Sequence, residues 1–316
     1  MELSQRLIYT LMNKGFAWVG RASWRTLDFL SGWIYKSLTR GLRYRRTLVA
    51  AHLQQAFPEL SEKARQDIEK AFYQLFADWM VEVAFMHARG WEAVAERFEI
   101  KNLHLFDEAH DRGQSVILAM GHQFNWEWGG WVLRRVTKAP ILCVYLPINA
   151  AGPDRFFREL RGRYGTEMLP LGRMGARLAR IRHLTHTLIL MADQSPSDLA
   201  RAHWIPFLNR LTAWHGGLER SAQLGDYRVL FVEIVRVARH RYEAYPSLLT
   251  DTPAALPPGE LTRQYVAALE ASLRRNPENW LWTHRRWKHS PPGLLSSPEE
   301  AIQNRQKPEI EEGARR

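Results

Sequence analysis

An apolar run, Ser115-Val116-Ile117-Leu118-Ala119-Met120, leads directly into Gly121-His122-Gln123-Phe124-Asn125-Trp126-Glu127-Trp128-Gly129-Gly130. The run is short and follows a Gly turn signal, the pattern of a buried strand. Asn125 is suited to cap a helix opening at Trp126, with Glu127 in its first turn. The chain must therefore pass from strand to helix within a few residues, and His122 sits on that bend. A carboxylate five residues on is wrongly spaced for one continuous helix, where stacked partners stand three or four apart. A bend that folds the helix start back beside the strand end suits the pair better. An imidazole held by a carboxylate at one nitrogen is free at the other to take a proton from a hydroxyl. His122 is thus the candidate general base and Glu127 its candidate orienting partner. A structural pairing remains the alternative, since 12 His in 316 residues make chance neighbours common.

The rest of the chain alternates strand-like and helical patterns. Strands are expected at 115–120, 141–146, 187–192 and 227–234. Helices are expected at 63–86, 126–136, 153–164, 175–183, 216–224 and 261–275. Such alternation predicts an α/β fold with a central, mostly parallel sheet flanked by helices. Ligands of such sheets sit at the carboxyl ends of strands, where His122 falls. The expected organisation is a basic amphipathic helical segment over 1–45, an α/β domain over 46–290, and a mobile tail over 291–316 rich in Pro, Ser, Glu and Arg.

Charge is unevenly spread. The net charge is +11, and residues 1–50 hold nine Lys/Arg against two acids, a local +7. Basic residues interleaved with Trp, Phe and Leu suit an anionic membrane surface, and on composition alone would also suit nucleic acid. Leu7, Ile8, Leu11, Met12, Gly15, Phe16, Trp18 and Val19 fall on one helical face, and Leu27, Leu30, Trp33, Ile34 and Leu38 on one side of a second segment. No run of 18 uncharged apolar residues exists, which argues against a conventional spanning helix, and no cleavable signal peptide is evident. These helices read either as an interfacial hairpin or as a pair docked on the protein's own core. The single cysteine, Cys143, excludes an internal disulfide framework and a cysteine zinc site.

Three further constellations stand out. Arg155, Arg158 and Arg161 recur every third residue and form a helical stripe able to hold phosphate oxygens; a solvated face paired with Asp154 and Glu159 is the alternative. Asp193-Gln194 follows an apolar strand, where it either lines the crevice or caps a turn. Trp280-Leu281-Trp282-Thr283-His284-Arg285-Arg286-Trp287-Lys288 packs three Trp among basic residues. Neither a Gly-rich phosphate loop nor an H-E-x-x-H pair occurs, so no nucleotide cofactor and no metal are expected.

Together these segments resemble the late (lauroyl/myristoyl) acyltransferases of lipid A biosynthesis, within the lysophospholipid acyltransferase superfamily. The resemblance rests on GHQFNWEWGG, the Asn149–Gly165 segment ending RGRYG, MADQSP at 191–196, IPF at 205–207, PENWLWTHRRWK at 277–288, and the lead-in RYRRTLVAAHLQQAFPELS. It spans about residues 40–290, and the NWEW, ADQSP and WLWTHRRWK forms look closest to a Bacteroidetes-type branch. It implies a glycerolipid-acyltransferase-like fold and an enzyme on the cytoplasmic face of the bacterial inner membrane. That enzyme would move an acyl chain from an acyl carrier protein thioester to a hydroxyl of a phosphorylated glycolipid, a lipid A precursor. No cofactor is then required, and nucleic acid is no partner. Carried over by position, His122 would be the base and Glu127 its partner. Arg161, with Arg155 and Arg158, would contact phosphate; Asp193 and Gln194 would shape the acceptor side. Asn125, Trp126 and the Arg285-Arg286 pair are the remaining candidate substrate contacts. A lysophospholipid or aminolipid acceptor, or a non-catalytic basic membrane- or nucleic-acid-binding role, are the alternatives. Two departures stand: Ser195-Pro196 follows the Asp-Gln step where many members carry Asp, and the N-terminal segment is more charged than a clean anchor.

Overall fold

The computed structural model describes residues 2–291, so the expected tail, Pro291 apart, lies outside the described residues. Five helices come first: α1 (Leu3–Val19), α2 (Trp24–Lys36), α3 (Arg46–Ala56), α4 (Glu62–Arg89) and α5 (Trp91–Ala95). A π-helical turn, Ser37–Gly41, extends α2. The α/β part then runs β1 (Phe98–Ile100), α6 (His104–Asp111), β2 (Val116–Met120), α7 (Trp126–Val136), β3 (Ile141–Tyr145), α8 (Ala151–Gly162), β4 (Glu167–Pro170), α9 (Met174–Ile181) and β5 (Thr187–Met191). It closes with β6 (Ala202–Phe207), β7 (Arg210–His215), α10 (Gly217–Gly225), β8 (Arg228–Ala238), β9 (Arg241–Thr250) and α11 (Glu260–Arg275).

Seven strands form one sheet in the order β1-β9-β8-β2-β5-β3-β4. Every neighbouring pair is parallel except β8–β9, so the expected mostly parallel mixed sheet with flanking helices is the fold that forms. β2 is buried throughout, as a central parallel strand covered on both faces must be. The register sets Met120 opposite both Met191 and Val232. Residues just beyond Met120 and Met191 therefore emerge together at the carboxyl edge of the sheet. A separate antiparallel hairpin, β6–β7, lies outside the sheet and was not anticipated from the sequence.

The N-terminal helices are built into the body. α1 packs on α4 and α8, and α2 on α4. Along α1 the apolar residues divide between two sides: Tyr9, Met12, Phe16 and Val19 meet the core, whereas Leu3, Leu7, Leu11 and Trp18 remain exposed. On α2, Leu27 is buried while Phe29 and Trp33 are exposed. The expectation of one apolar face on each helix is corrected accordingly. Both helices are docked on the protein, and both still present unpartnered apolar side chains outward.

A buried polar network fixes α2 to the body. Asp78 on α4 accepts from Ser31, Arg236 and Arg239. His240 bridges Asp28 of α2 and Glu82 of α4 at 2.8 and 2.7 Å. Asp28, Asp78 and His240 lie close enough together to hold a cation. Two guanidinium groups already supply the positive charge there, as buried carboxylates require.

Candidate active site

β2 delivers His122 one residue past Gly121, and the helix that follows starts where Asn125 ends the bend. Asn125 Oδ1 accepts from the Trp128 N–H at 3.1 Å, satisfying one of the orphan donors of a helix start. Its amide nitrogen donates to Glu82 at 2.9 Å. The Phe124–Asn125 peptide is cis. Gln123 donates to Ser272 of α11, and the Phe124 N–H donates to Asn279. The bend is thus stitched to α4, α11 and the segment after it.

His122 Nδ1 lies 2.7 Å from Asp193 Oδ1, and the His122 backbone N–H donates to Asp193 Oδ2 at 2.8 Å. The Trp280 indole N–H donates to the same Oδ2 at 2.7 Å. Burial on its own would raise the Asp193 pKa, but the neighbouring imidazole and these hydrogen bonds outweigh it and bring it down to about 2. An ionised Asp193 requires the proton on His122 Nδ1, which leaves Nε2 as the basic nitrogen. The Gln194 amide nitrogen stands 3.4 Å from Nε2.

The expected His122–Glu127 contact is not formed. Glu127 is buried and accepts from Arg161, Nη2 at 2.6 Å and Nε at 2.9 Å, and from the Trp126 indole at 3.0 Å. The strand-to-helix bend does not turn Glu127 onto the imidazole; α8 brings Arg161 to it instead. The pairing also sets Arg161, whose pKa burial alone would lower but which its proximity to Glu127 raises.

Other expected contacts divide. Trp126 and Gln194 line the cavity beside His122, and Arg161 stands in its wall. Asn125 is wholly buried and occupied in capping, so its expected place against substrate is corrected to a structural one. Arg155 is exposed, paired with Glu159 and laid over Tyr9, and Arg158 is exposed; neither lines the cavity. Arg285 is exposed whereas Arg286 is buried, donating to the Ala213 carbonyl and lying 4.2 Å over the Trp214 ring. Burial holds Arg286 down to about 10.

Residues that sequence reasoning left without a role now have one. The Ser195 N–H donates to His284 Nε2 at 3.1 Å, and Ser195 Oγ donates to the Arg286 carbonyl. His284 must then be an acceptor, and burial lowers its pKa to about 4, which keeps it neutral. The Trp-rich segment thereby clamps the Asp193–Ser195 turn against the end of β2.

A cavity of about 390 Å³ opens beside His122. Leu118, Met120, Ile189, Met191 and Val232 of the sheet line one side. Trp126, Gly130 and Leu133 of α7 line the other, and His215 and Gly217 border it where β7 meets α10. The walls are overwhelmingly apolar; their charged and titratable members include the Glu127–Arg161 pair, His122 and His215. An imidazole nitrogen exposed to an apolar cavity is chemically able to take a proton from a hydroxyl bound there.

Comparison with known families aligns residues 7–289 with bacterial lipid A biosynthesis acyltransferases. The chain is 23% identical over 260 residues to the lipid A biosynthesis palmitoleoyltransferase of Escherichia coli (strain K12), covering 81% of this chain and 82% of that protein. It has the same figures against a lipid A biosynthesis acyltransferase of Shigella flexneri. Against one of Haemophilus influenzae it is 21% identical over 267 residues, covering 82% of this chain and 80% of that protein.

Proposed function

The chain belongs to the bacterial lipid A biosynthesis acyltransferase family, and from that premise we propose that it moves a fatty acyl chain from an acyl carrier protein thioester to a hydroxyl of a lipid A precursor. The observation that carries this reading is the His122–Asp193 pair beside an apolar cavity. His122 Nε2 takes the hydroxyl proton as the oxygen attacks the thioester carbonyl. The tetrahedral intermediate collapses with loss of the thiolate, which takes the proton back from the imidazolium. The products are the ester and the free carrier thiol.

Asp193 holds the tautomer and offsets the imidazolium charge; base catalysis of this kind contributes roughly 10²–10⁴-fold. Backbone N–H groups in the first turns of α7 and α10, both of which border the cavity, would receive the oxyanion. Glu127 acts at one remove, by holding Arg161 at the cavity wall. Arg161 is the favoured contact for a phosphate or for the carbonyl side of the donor. Gln194 stands where the acceptor hydroxyl must arrive.

We further read the exposed stripe of α1 (Leu3, Leu7, Leu11, Trp18) and Phe29 and Trp33 of α2 as a membrane-docking face. No helix among the described residues is long and apolar enough to cross a membrane. α1 reaches the entrance of the site, since Gln5 accepts from the Gly152 N–H at 3.0 Å and the preceding Leu146 and Ile148 line the cavity. An acceptor lipid could therefore pass from the bilayer surface to His122 without crossing water.

The test is acyl transfer by purified protein, with carrier-protein thioesters as donors and a lipid A precursor or a lysophospholipid as acceptor, read by mass spectrometry. A mass gain on the lipid A precursor that His122→Ala abolishes is the expected result. A gain confined to the lysophospholipid would overturn the acceptor, and no gain from a folded protein would overturn the chemistry.

A further inference from the structure

Resting on the acyl-transfer reading, we infer that Gly130 determines the length of acyl chain that the cavity accepts. Trp126, Gly130 and Leu133 fall four and three residues apart, on one stripe of α7, and all three line the cavity. The facing wall is a row of sheet side chains held in register, Met168, Cys143, Ile189 and Leu118. The hydrocarbon must lie between these two surfaces.

The two consecutive glycines of α7 differ in kind. A Cβ on Gly129 would come within 3.1 Å of the Phe98 ring, so the close approach of β1 explains that glycine. A Cβ on Gly130 would meet nothing within 4 Å. Gly130 is half-buried and lines the cavity, so the vacant space beside it is the cavity itself. Apart from proline, glycine is the least favourable residue in a helix interior. Its presence where a larger side chain finds room is therefore unexplained by packing, and is explained by the need to keep that room open.

Its position along the cavity gives the effect a direction. Gly130 stands one turn beyond Trp126, about 6 Å along the helix axis. Phe98, Phe106 and Ile100 also line the cavity, with Phe98 against the glycine next to Gly130. A side chain grown at residue 130 would fill cavity space one turn beyond Trp126. Short chains would still seat their carbonyl by His122, and longer ones would not.

The experiment compares wild type, Gly130→Ala and Gly130→Leu in two assays. The first is transfer from an equimolar mixture of carrier-protein thioesters of graded length, read as the ratio of short- to long-chain product. The second is binding of free fatty acids of the same lengths by displacement of a fluorescent fatty acid. Each methylene denied its contact corresponds to roughly a fourfold loss, so Gly130→Leu should raise the short-to-long ratio by about tenfold or more in both. Gly130→Ala should shift both ratios the same way by less, and it decides the matter if the Leu variant does not fold. Unchanged ratios in a folded variant would overturn the inference while leaving His122-dependent transfer intact. Absent transfer in wild type with the fatty-acid ratio still shifting would overturn the acyl-transfer reading and leave the role of Gly130 in sizing the cavity standing.

Discussion

At the scale of single residues, the decisive contact is between His122 and Asp193, 71 positions apart in the chain. The His-x4-Glu spacing was legible in the sequence, and so was the emergence of both His122 and Asp193 at strand ends. What the sequence withheld was that β2 and β5 are neighbours in register, Met120 opposite Met191. Two residues past each of those lie His122 and Asp193, so the pair follows from the register alone. Glu127, the nearer carboxylate in sequence, is occupied by Arg161. The two acids should therefore fail differently when neutralised. Asp193→Asn should lower kcat by roughly 10²–10⁴-fold, because Asn does not enforce the tautomer that leaves Nε2 basic. It should be non-additive with His122→Ala, as residues acting as a unit are. Glu127→Gln should instead be coupled to Arg161→Gln in a double-mutant cycle and cost less in kcat than Asp193→Asn. If Glu127→Gln proved as damaging as Asp193→Asn and non-additive with His122→Ala, Glu127 would have to engage the imidazole in the working enzyme.

At the scale of elements, strong periodicity and caps were readable and long-range pairing was not. α7 runs from Trp126 to Val136, the span that Asn125 and the apolar spacing predict. The hairpin of β6 and β7 went unread because its turn is Leu208-Asn209, both with positive φ, rather than the Asn-Gly or Asp-Gly pair that marks such turns. β1 and β4, at three and four residues, are too short to show an alternation. α1 was misread as one-faced because its apolar residues are numerous enough to serve two surfaces. That division makes a prediction specific to the element. Leu7→Asp with Leu11→Asp alters only the exposed stripe and leaves Tyr9, Met12 and Phe16 in the core, so the melting temperature should hold. Sedimentation with anionic phospholipid vesicles should fall by about tenfold or more, since two apolar side chains each contribute roughly 1.5–3 kcal/mol when buried. Undiminished vesicle binding by a folded variant would exclude α1 as the docking face.

At the scale of the whole molecule, α3 meets the Trp-rich segment that follows α11, and histidines shielded from solvent hold the junction. His52 of α3 lies 3.1 Å from the Trp282 carbonyl and must donate from Nδ1, while His284 accepts from Ser195. Burial lowers each of them from 6.5 to about 4. The sign of the consequence follows from where protons are bound. In the unfolded chain both protonate near pH 6.5; in the folded protein neither does so until about pH 4. Their stabilising contribution is thus complete above pH 6.5 and is lost as pH falls from there toward 4. The unfolded state binds the extra protons throughout that window. For His52, the more buried of the two, the slope approaches about 1.4 kcal/mol per pH unit, and for the more solvated His284 it is smaller. Burial shifts His87, His110, His186 and His215 downward as well, so the whole protein should lose stability across the same range. His52→Gln keeps a donor for the Trp282 carbonyl and removes one titration. Urea unfolding of wild type and His52→Gln, measured near pH 7 and near pH 5, isolates it. The variant should lose roughly 2 kcal/mol less than wild type between those conditions. Equal losses would mean that His52 takes up its proton as readily in the folded protein as in the unfolded chain, and that burial does not set its titration.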